Sequence, residues 1–246
     1  MPRGTGKYAR KRGLQSGVRR AIIKVKKNER GKREMDQTAK LIETAEGLAL
    51  SDGKNEIRGD FSRLLPRVRR GNLASEHLVR AVKLKGIDLP VVADATAGLG
   101  EDSFLLAAAG CRVLLYEKDP VIAALLKDAW ERAKRDPETA PIAERMTVIE
   151  GDSIRFLPEL DPPPDVVLLD PMFPERKKSA LVKKKFQLLH LLERPCDNER
   201  ELLDAAIAAK PKRIVIKRPA KGPYLAGVKP SYSLDGSSVR FYCIVL

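Results

Sequence analysis

Apolar and polar positions fall into two regimes along the chain. From Leu89 onward, short apolar runs recur at 91–95, 112–116, 146–149, 165–169 and 213–217. Stretches with helical spacing separate them at 101–109, 120–135 and 199–209, with a short turn at 153–158. Strand-length runs alternating with helix-length ones predict an α/β fold built on a doubly wound, mostly parallel sheet. The apolar, aromatic run from Val239 to Leu246 reads as a closing strand, and an antiparallel course would make the sheet mixed. Upstream, residues 36–46 predict a helix. Leu48 and Leu50 alternate before Asp52-Gly53, and Ile57 follows, which predicts a hairpin within 48–61. A basic connector carrying Arg63, Arg67, Arg69 and Arg70 leads into a helix from near Ser75 to about Lys83. The expected organisation is a basic arm at 1–35, a small N-terminal subdomain with its connector at 36–84, and an α/β domain at 85–246.

Composition narrows the class. A chain of 246 residues, 43% hydrophobic, suits one sizeable core. No run approaches the roughly 18–20 apolar residues that span a bilayer, and the N-terminus lacks the apolar stretch of a secretory signal. An Arg-rich start is also a feature of organelle transit peptides, but the lysines and glycines here and the lack of amphipathic periodicity argue against one. Cysteines stand at 111, 196 and 243 without metal-ligand spacing, and His77 and His190 are far apart, so no metal site is expected. Cys111 and Cys243 sit in apolar runs and read as core residues. An odd cysteine count without an export signal fits a reducing, cytoplasmic compartment.

The formal charge of +14 changes the picture most. Neutralising phosphates with Lys and Arg releases condensed counterions, so the balance favours a nucleic-acid partner. An anionic membrane is the competing partner, but no basic amphipathic helix supports it. Residues 1–35 carry thirteen Lys and Arg against Glu29 and Glu34 alone. Such a block is expected to be a mobile arm or marginal helix that orders on RNA, or else a solubilising tail.

Three strand ends point to a nucleoside cofactor. The first strand and turn read VVADATAGLGEDSF, where Gly98 and Gly100 free the backbone between Asp94 and a helix opening at Glu101-Asp102. The second ends LLYEKDP, placing Glu117 where an acid accepts from ribose hydroxyls, while Asp119 before Pro120 reads as a helix cap. The third ends VIEGDS, where Asp152 and Ser153 offer an acceptor and a hydroxyl to a base edge and also fit a helix cap. NAD and S-adenosyl-L-methionine both suit this crevice. The missing third glycine of the dinucleotide fingerprint and the basic excess disfavour NAD.

The fourth strand ends in Asp170-Pro171-Met172-Phe173, close to the [DN]-P-P-[FYW] loop that serves planar amino nitrogens. An exocyclic amine is a weak nucleophile because its lone pair is delocalised into the ring. A carboxylate (Asp170) and a backbone carbonyl (Pro171) accepting its two N–H groups favour pyramidalisation, and an aromatic ring (Phe173) stacks on the base. Arg176, Lys177, Lys178, Lys183, Lys184 and Lys185 follow, and Lys217-Arg218-Pro219 follows the fifth strand. Both clusters are expected to form an RNA-binding surface beside Asp170.

Together, DATAGLGEDSF, GCRVLLYEKDPVIAALL, LDPMFPERKKSALVKK and IVIKRP resemble the RsmJ family of bacterial 16S rRNA guanine-N2 methyltransferases, over about residues 48–246 and least before 85. The resemblance implies a Rossmann-like class I methyltransferase with a small N-terminal subdomain and S-adenosyl-L-methionine as cofactor. It further implies transfer to N2 of a guanine near the 3′ end of 16S rRNA, free or in the 30S subunit. Carried over by motif, cofactor contacts fall on Glu101-Asp102, Glu117-Lys118, Asp152-Ser153 and Asp170. The basic arm departs from the family's usual N-terminus. Two alternatives stay open: a non-catalytic ribosome-assembly factor on this fold, and an amino-methyltransferase acting on DNA adenine or protein glutamine.

Overall fold

The computed structural model describes residues 22–23, 39–69, 71, 73–172 and 196–246. Ile22–Ile23 (β1) pairs antiparallel with Ala39–Thr44 (β2), so part of the basic arm belongs to a sheet; the remainder of 1–35 lies outside the described residues. Gly47–Ser51 (β3) returns antiparallel to β2, and Glu56–Ile57 (β4) completes the order β1-β2-β3-β4.

The hairpin expected around Asp52-Gly53 is present between β3 and β4, but the helix expected at 36–46 is not, and its described part is β2. The tight turn at Ala45-Glu46 explains the difference. Thr44 Oγ1 donates to the Gly47 carbonyl at 2.8 Å and accepts from Glu46 N at 3.2 Å, and Gly47 adopts φ +113°. Pairing with β3 then outweighs the weak helical preference of the segment. This sheet rests on the long helix introduced below, through Ala39, Leu50 and Ile57 against Val121 and Leu125.

Leu65–Arg69 (α1) and His77–Val82 (α2) lead into the main domain. There follow Val91–Asp94 (β5), Glu101–Ala108 (α3), Arg112–Glu117 (β6), Pro120–Ala133 (α4), Ala140–Ala143 (α5), Met146–Glu150 (β7), Ser153–Phe156 (α6) and Val166–Leu169 (β8). Glu199–Ala208 (α7), Arg213–Pro219 (β9), Tyr232–Asp235 (β10) and Val239–Val245 (β11) finish the chain. The sheet runs β10-β11-β9-β8-β5-β6-β7. It is parallel from β9 through β7, whereas β11 is antiparallel to both β9 and β10. The mixed α/β sheet with an antiparallel C-terminal strand is as expected. Strand β10 was not anticipated, because its half-exposed sequence YSLD lacks an apolar signal.

Strand alternation sends side chains to two helical layers. Phe104 and Leu106 of α3 and Leu126 of α4 pack with Val92, Val113 and Val215. Leu202, Leu203 and Ala206 of α7 pack with Ala93, Val167, Ile214 and Ile216 on the other face. Each Val, Leu, Ile or Phe side chain buried fully in this way contributes about 1.5–3 kcal/mol. Cys111 and Cys243 lie in this core. Strands β5 and β8 are neighbours whose connections leave towards opposite edges, which opens a crevice at their carboxyl ends.

Candidate active site

The turn after β5 is stapled from three sides. Ala95 N donates to Leu168 O of β8 at 3.0 Å, Ala97 N to Tyr116 O of β6 at 3.0 Å, and Gly98 N to Glu117 Oε2 at 2.9 Å. Gly98 (φ +55°) and Gly100 (φ +79°) take left-handed conformations, and they differ in surroundings. A Cβ on Gly98 would meet open space, whereas one on Gly100 would lie 2.6 Å from Leu126 Cδ1. Gly98 therefore borders the cavity, and Gly100 lets α3 begin against α4.

Asp94 stands below the turn, 3% exposed. Its Oδ2 accepts from Ser103 Oγ at 2.6 Å and its Oδ1 from Thr96 N at 3.2 Å. Burial pushes its carboxyl up to about 7 despite these bonds. Asp94 thus bonds the turn and α3 from beneath.

At the end of β6, Glu117 accepts through Oε2 from Gly98 N and through Oε1 from Asp119 N at 2.8 Å. These bonds orient the carboxylate at the end of β6, on the cavity wall. Asp119 caps α4, accepting from Val121 N and Ile122 N, with Pro120 as the first helical residue. Asp152 caps α6 through Ile154 N at 3.1 Å, and Ser153 is buried beside it. These ends enclose one cavity of about 750 Å³, lined by Asp94, the Ala95–Asp102 turn, Glu117, Lys118, Asp152, Ser153, Asp170 and Pro171. Each residue expected to contact the cofactor lines this cavity.

The far wall carries chemistry that the motifs only partly disclose. Asp170 N donates to Thr96 Oγ1 at 2.7 Å, tying the end of β8 to the glycine turn. Lys217 Nζ lies 2.5 Å from Asp102 Oδ2 and 2.9 Å from Asp170 Oδ2. Burial in the cleft raises the Asp170 carboxyl above its ordinary value, against the pull of Lys217. Burial disfavours the Lys217 charge, but Asp170 and Asp102 outweigh it and hold this lysine above the usual range. Cys196 N donates to Met172 O at 3.2 Å, so both residues border the cavity side by side.

The expected placement of Lys217 and Arg218 on one surface is corrected. Strand β9 continues through Pro219, so Lys217 and Arg218 are strand residues with opposite facings rather than a surface cluster beyond the strand. Lys217, 24% exposed, turns into the cavity. Arg218, 1% exposed, turns to the α7 side, where its guanidinium pairs with Glu199 at 2.5 Å. Glu199 also accepts from Ala226 N at 2.9 Å. Phe173, Arg176, Lys177, Lys178, Lys183, Lys184 and Lys185 lie outside the described residues. Sequence reading missed Thr96 and the placement of Lys217. The strand period of two, continued past residue 217, is the signal that would have separated Lys217 from Arg218.

Among the described residues no His/Cys/Asp/Glu cluster could hold a metal, and no helix is long and apolar enough to cross a membrane. The SAM_MT family model, which describes SAM-dependent methyltransferases, matches residues 16–245. The chain is 48% identical over 177 residues to the ribosomal RNA small subunit methyltransferase J of Nitrosococcus oceani, covering 71% of this chain and 70% of that one. It is 49% identical to the protein of that name from Chromobacterium violaceum, over 80% and 79% of the two chains. Among solved structures, a SAM-dependent methyltransferase from Neisseria gonorrhoeae superposes with a TM-score of 0.70 at 33% identity, covering 87% and 85%.

Proposed function

The chain belongs to the RsmJ family of S-adenosylmethionine-dependent methyltransferases, and from that premise we infer that it methylates an exocyclic amine of small-subunit ribosomal RNA. We propose N2 of a guanine in 16S rRNA as the acceptor, met either in free RNA or in the 30S subunit, and the bacterial cytoplasm as the place of work. One observation carries the reading. The Asp170-Pro171 end of β8 opens into the same cavity as the glycine turn, Glu117 and Asp152.

That cavity suits the cofactor. Glu117 is already oriented at the cavity wall where ribose hydroxyls would lie, and Asp152 with Ser153 can meet an adenine edge beside the apolar Ile154. Glu101 and Asp102, in the first turn of α3, and Lys118, beside Glu117, complete the expected contacts. When bound, S-adenosylmethionine supplies an electrophilic methyl on a cationic sulfur and departs as the neutral thioether.

The chain's residues do the remaining work. Asp170 and the Pro171 carbonyl accept the two N–H groups of the amine and turn its lone pair towards the methyl donor. Phe173 stacks on the base, a contact worth about 1–3 kcal/mol. The bond formed joins nitrogen to carbon, and the proton that methylation makes acidic passes to the Asp170 carboxylate and then to solvent. Positioning supplies most of the acceleration, because the amine needs no deprotonation before transfer. A base in a helix must be extruded to reach this cavity, and an unpaired base costs less to present. The basic segment following Phe173 and the arm at 1–35 would neutralise RNA phosphates around the site.

Transfer of tritiated methyl from S-adenosylmethionine to free 16S rRNA, 30S subunits, DNA and protein tests this reading. Label is expected in RNA, at one guanine when digests are mapped by mass spectrometry. Label confined to DNA or protein, or none anywhere, would overturn it.

A further inference from the structure

Among the carboxylates lining the cleft are Asp94 at the end of β5, Asp102 in the first turn of α3, and Asp170 after β8. Asp94 is engaged by Ser103 and Thr96. Asp102 and Asp170 converge on the single ammonium of Lys217, contributed by β9 from 115 and 47 positions away in sequence. Arg218, the neighbouring cation, adds a favourable field at Asp170 but turns to the opposite face of the sheet and pairs with Glu199.

We propose that Lys217 is a positioning residue for methyl transfer: by bridging Asp102 and Asp170 it holds the Asp170 carboxylate in the orientation and charge state that accept the substrate amine. The inference rests on the methyltransferase reading of this cavity. Two anionic side chains converging in a cleft repel one another, and without a shared cation one of them takes up a proton. A protonated Asp170 presents a hydroxyl where the amine needs an acceptor, so both grip and proton acceptance fail together. A side chain bridging two partners also restricts the rotamers of each. Thr96 holds the backbone of Asp170 and Lys217 holds its carboxylate, so the group is fixed at both ends. The burial that raises Asp170 is offset mainly by Lys217, in agreement with this geometry.

The test uses the full chain with γ-¹³C-labelled aspartate, the Asp170 signal being assigned through Asp170→Asn. In the ligand-free protein, Lys217→Met should raise the Asp170 titration midpoint by about one unit or more, and Lys217→Arg should restore most of it. Asp102→Asn should move the midpoint down, because it removes the competing anion; this variant keeps the test valid if Lys217→Met fails to fold. In turnover, Lys217→Met should lower kcat about 100-fold near neutral pH, with the acid limb of the kcat profile displaced upward. Binding of S-adenosylhomocysteine should change much less than kcat. An unmoved Asp170 midpoint in both Lys217→Met and Asp102→Asn, or a shift of the same sign in both, would overturn the proposal. Absence of transfer by the unaltered chain would instead count against the functional reading, since the titration needs neither cofactor nor RNA.

Discussion

The two walls of the cavity are built differently. On the wall formed by the ends of β5, β6 and β7, most polar groups are satisfied by nearby backbone. Asp119 and Asp152 cap the helices that follow them, and Glu117 binds N–H groups of the adjacent turn and of Asp119. On the wall formed by β8 and β9, Asp170 depends on Thr96, 74 residues away, and on Lys217. The helix caps of the first wall form within single strand-turn-helix units, and Glu117 ties the β6 unit to the β5 turn that precedes it. The second exists only once the sheet is complete. Cofactor recognition is therefore expected to be robust to changes on the far side, while catalysis is sensitive to the long-range ties.

Asp170→Ala gives the sharpest separation of the walls. Methyl transfer should fall at least about 1,000-fold, while calorimetry with S-adenosylhomocysteine shows affinity within a few-fold of the unaltered chain. Comparable losses in both would mean that the walls do not act separately. Glu117→Ala should do the reverse. It removes an oriented acceptor and the ties to Gly98 and Asp119, so cofactor affinity should weaken about 10- to 100-fold, with kcat at saturation affected less.

Thr96→Val probes the bridge between the walls. Asp170 N would lose its 2.7 Å acceptor without a change in side-chain size, and kcat should drop about 10-fold at nearly constant cofactor affinity. An unchanged kcat would leave Thr96 with a packing role only.

The smallest effect on function, and a pH-dependent one on stability, belongs to Asp94. Its folded-state carboxyl titrates near 7, above the ordinary 3.8, so between those values the unfolded chain binds fewer protons than the folded one. The stability associated with the protonated group is complete below about pH 4 and is lost as pH rises through about 7, by at most about 4 kcal/mol. Asp94→Asn, which stays neutral, should therefore gain on the unaltered chain between pH 5 and pH 8 in urea unfolding. A constant difference across that range would show that Asp94 stays ionised in the fold.

The contrast between the walls also explains what could be read from the chain alone. The alternation of strands and helices from Leu89 onward was legible because each parallel strand is buried on both faces and stands out as an apolar run. The capping roles of Asp119 and Asp152, and the glycine turn, were legible because they follow from chemistry within a few residues. The segment 39–44 was misread as helix because its pattern is weak and its strand form depends on pairing with β3. Strand β10 escaped notice because it lies at an open edge and buries little.

Local chemistry thus determined the strand and helix segments, the helix starts and the capping residues on the cofactor side of the cavity, since neighbours in the chain supply their partners. The fates of Lys217 and Arg218 were decided only by tertiary structure. Adjacent in sequence and alike in charge, they take opposite sides because a strand alternates its side chains. One meets Asp102 and Asp170 in the cleft, the other Glu199 at the start of α7. Which carboxylates wait on each face is set by elements as far as 115 residues away, and no local pattern carries that information.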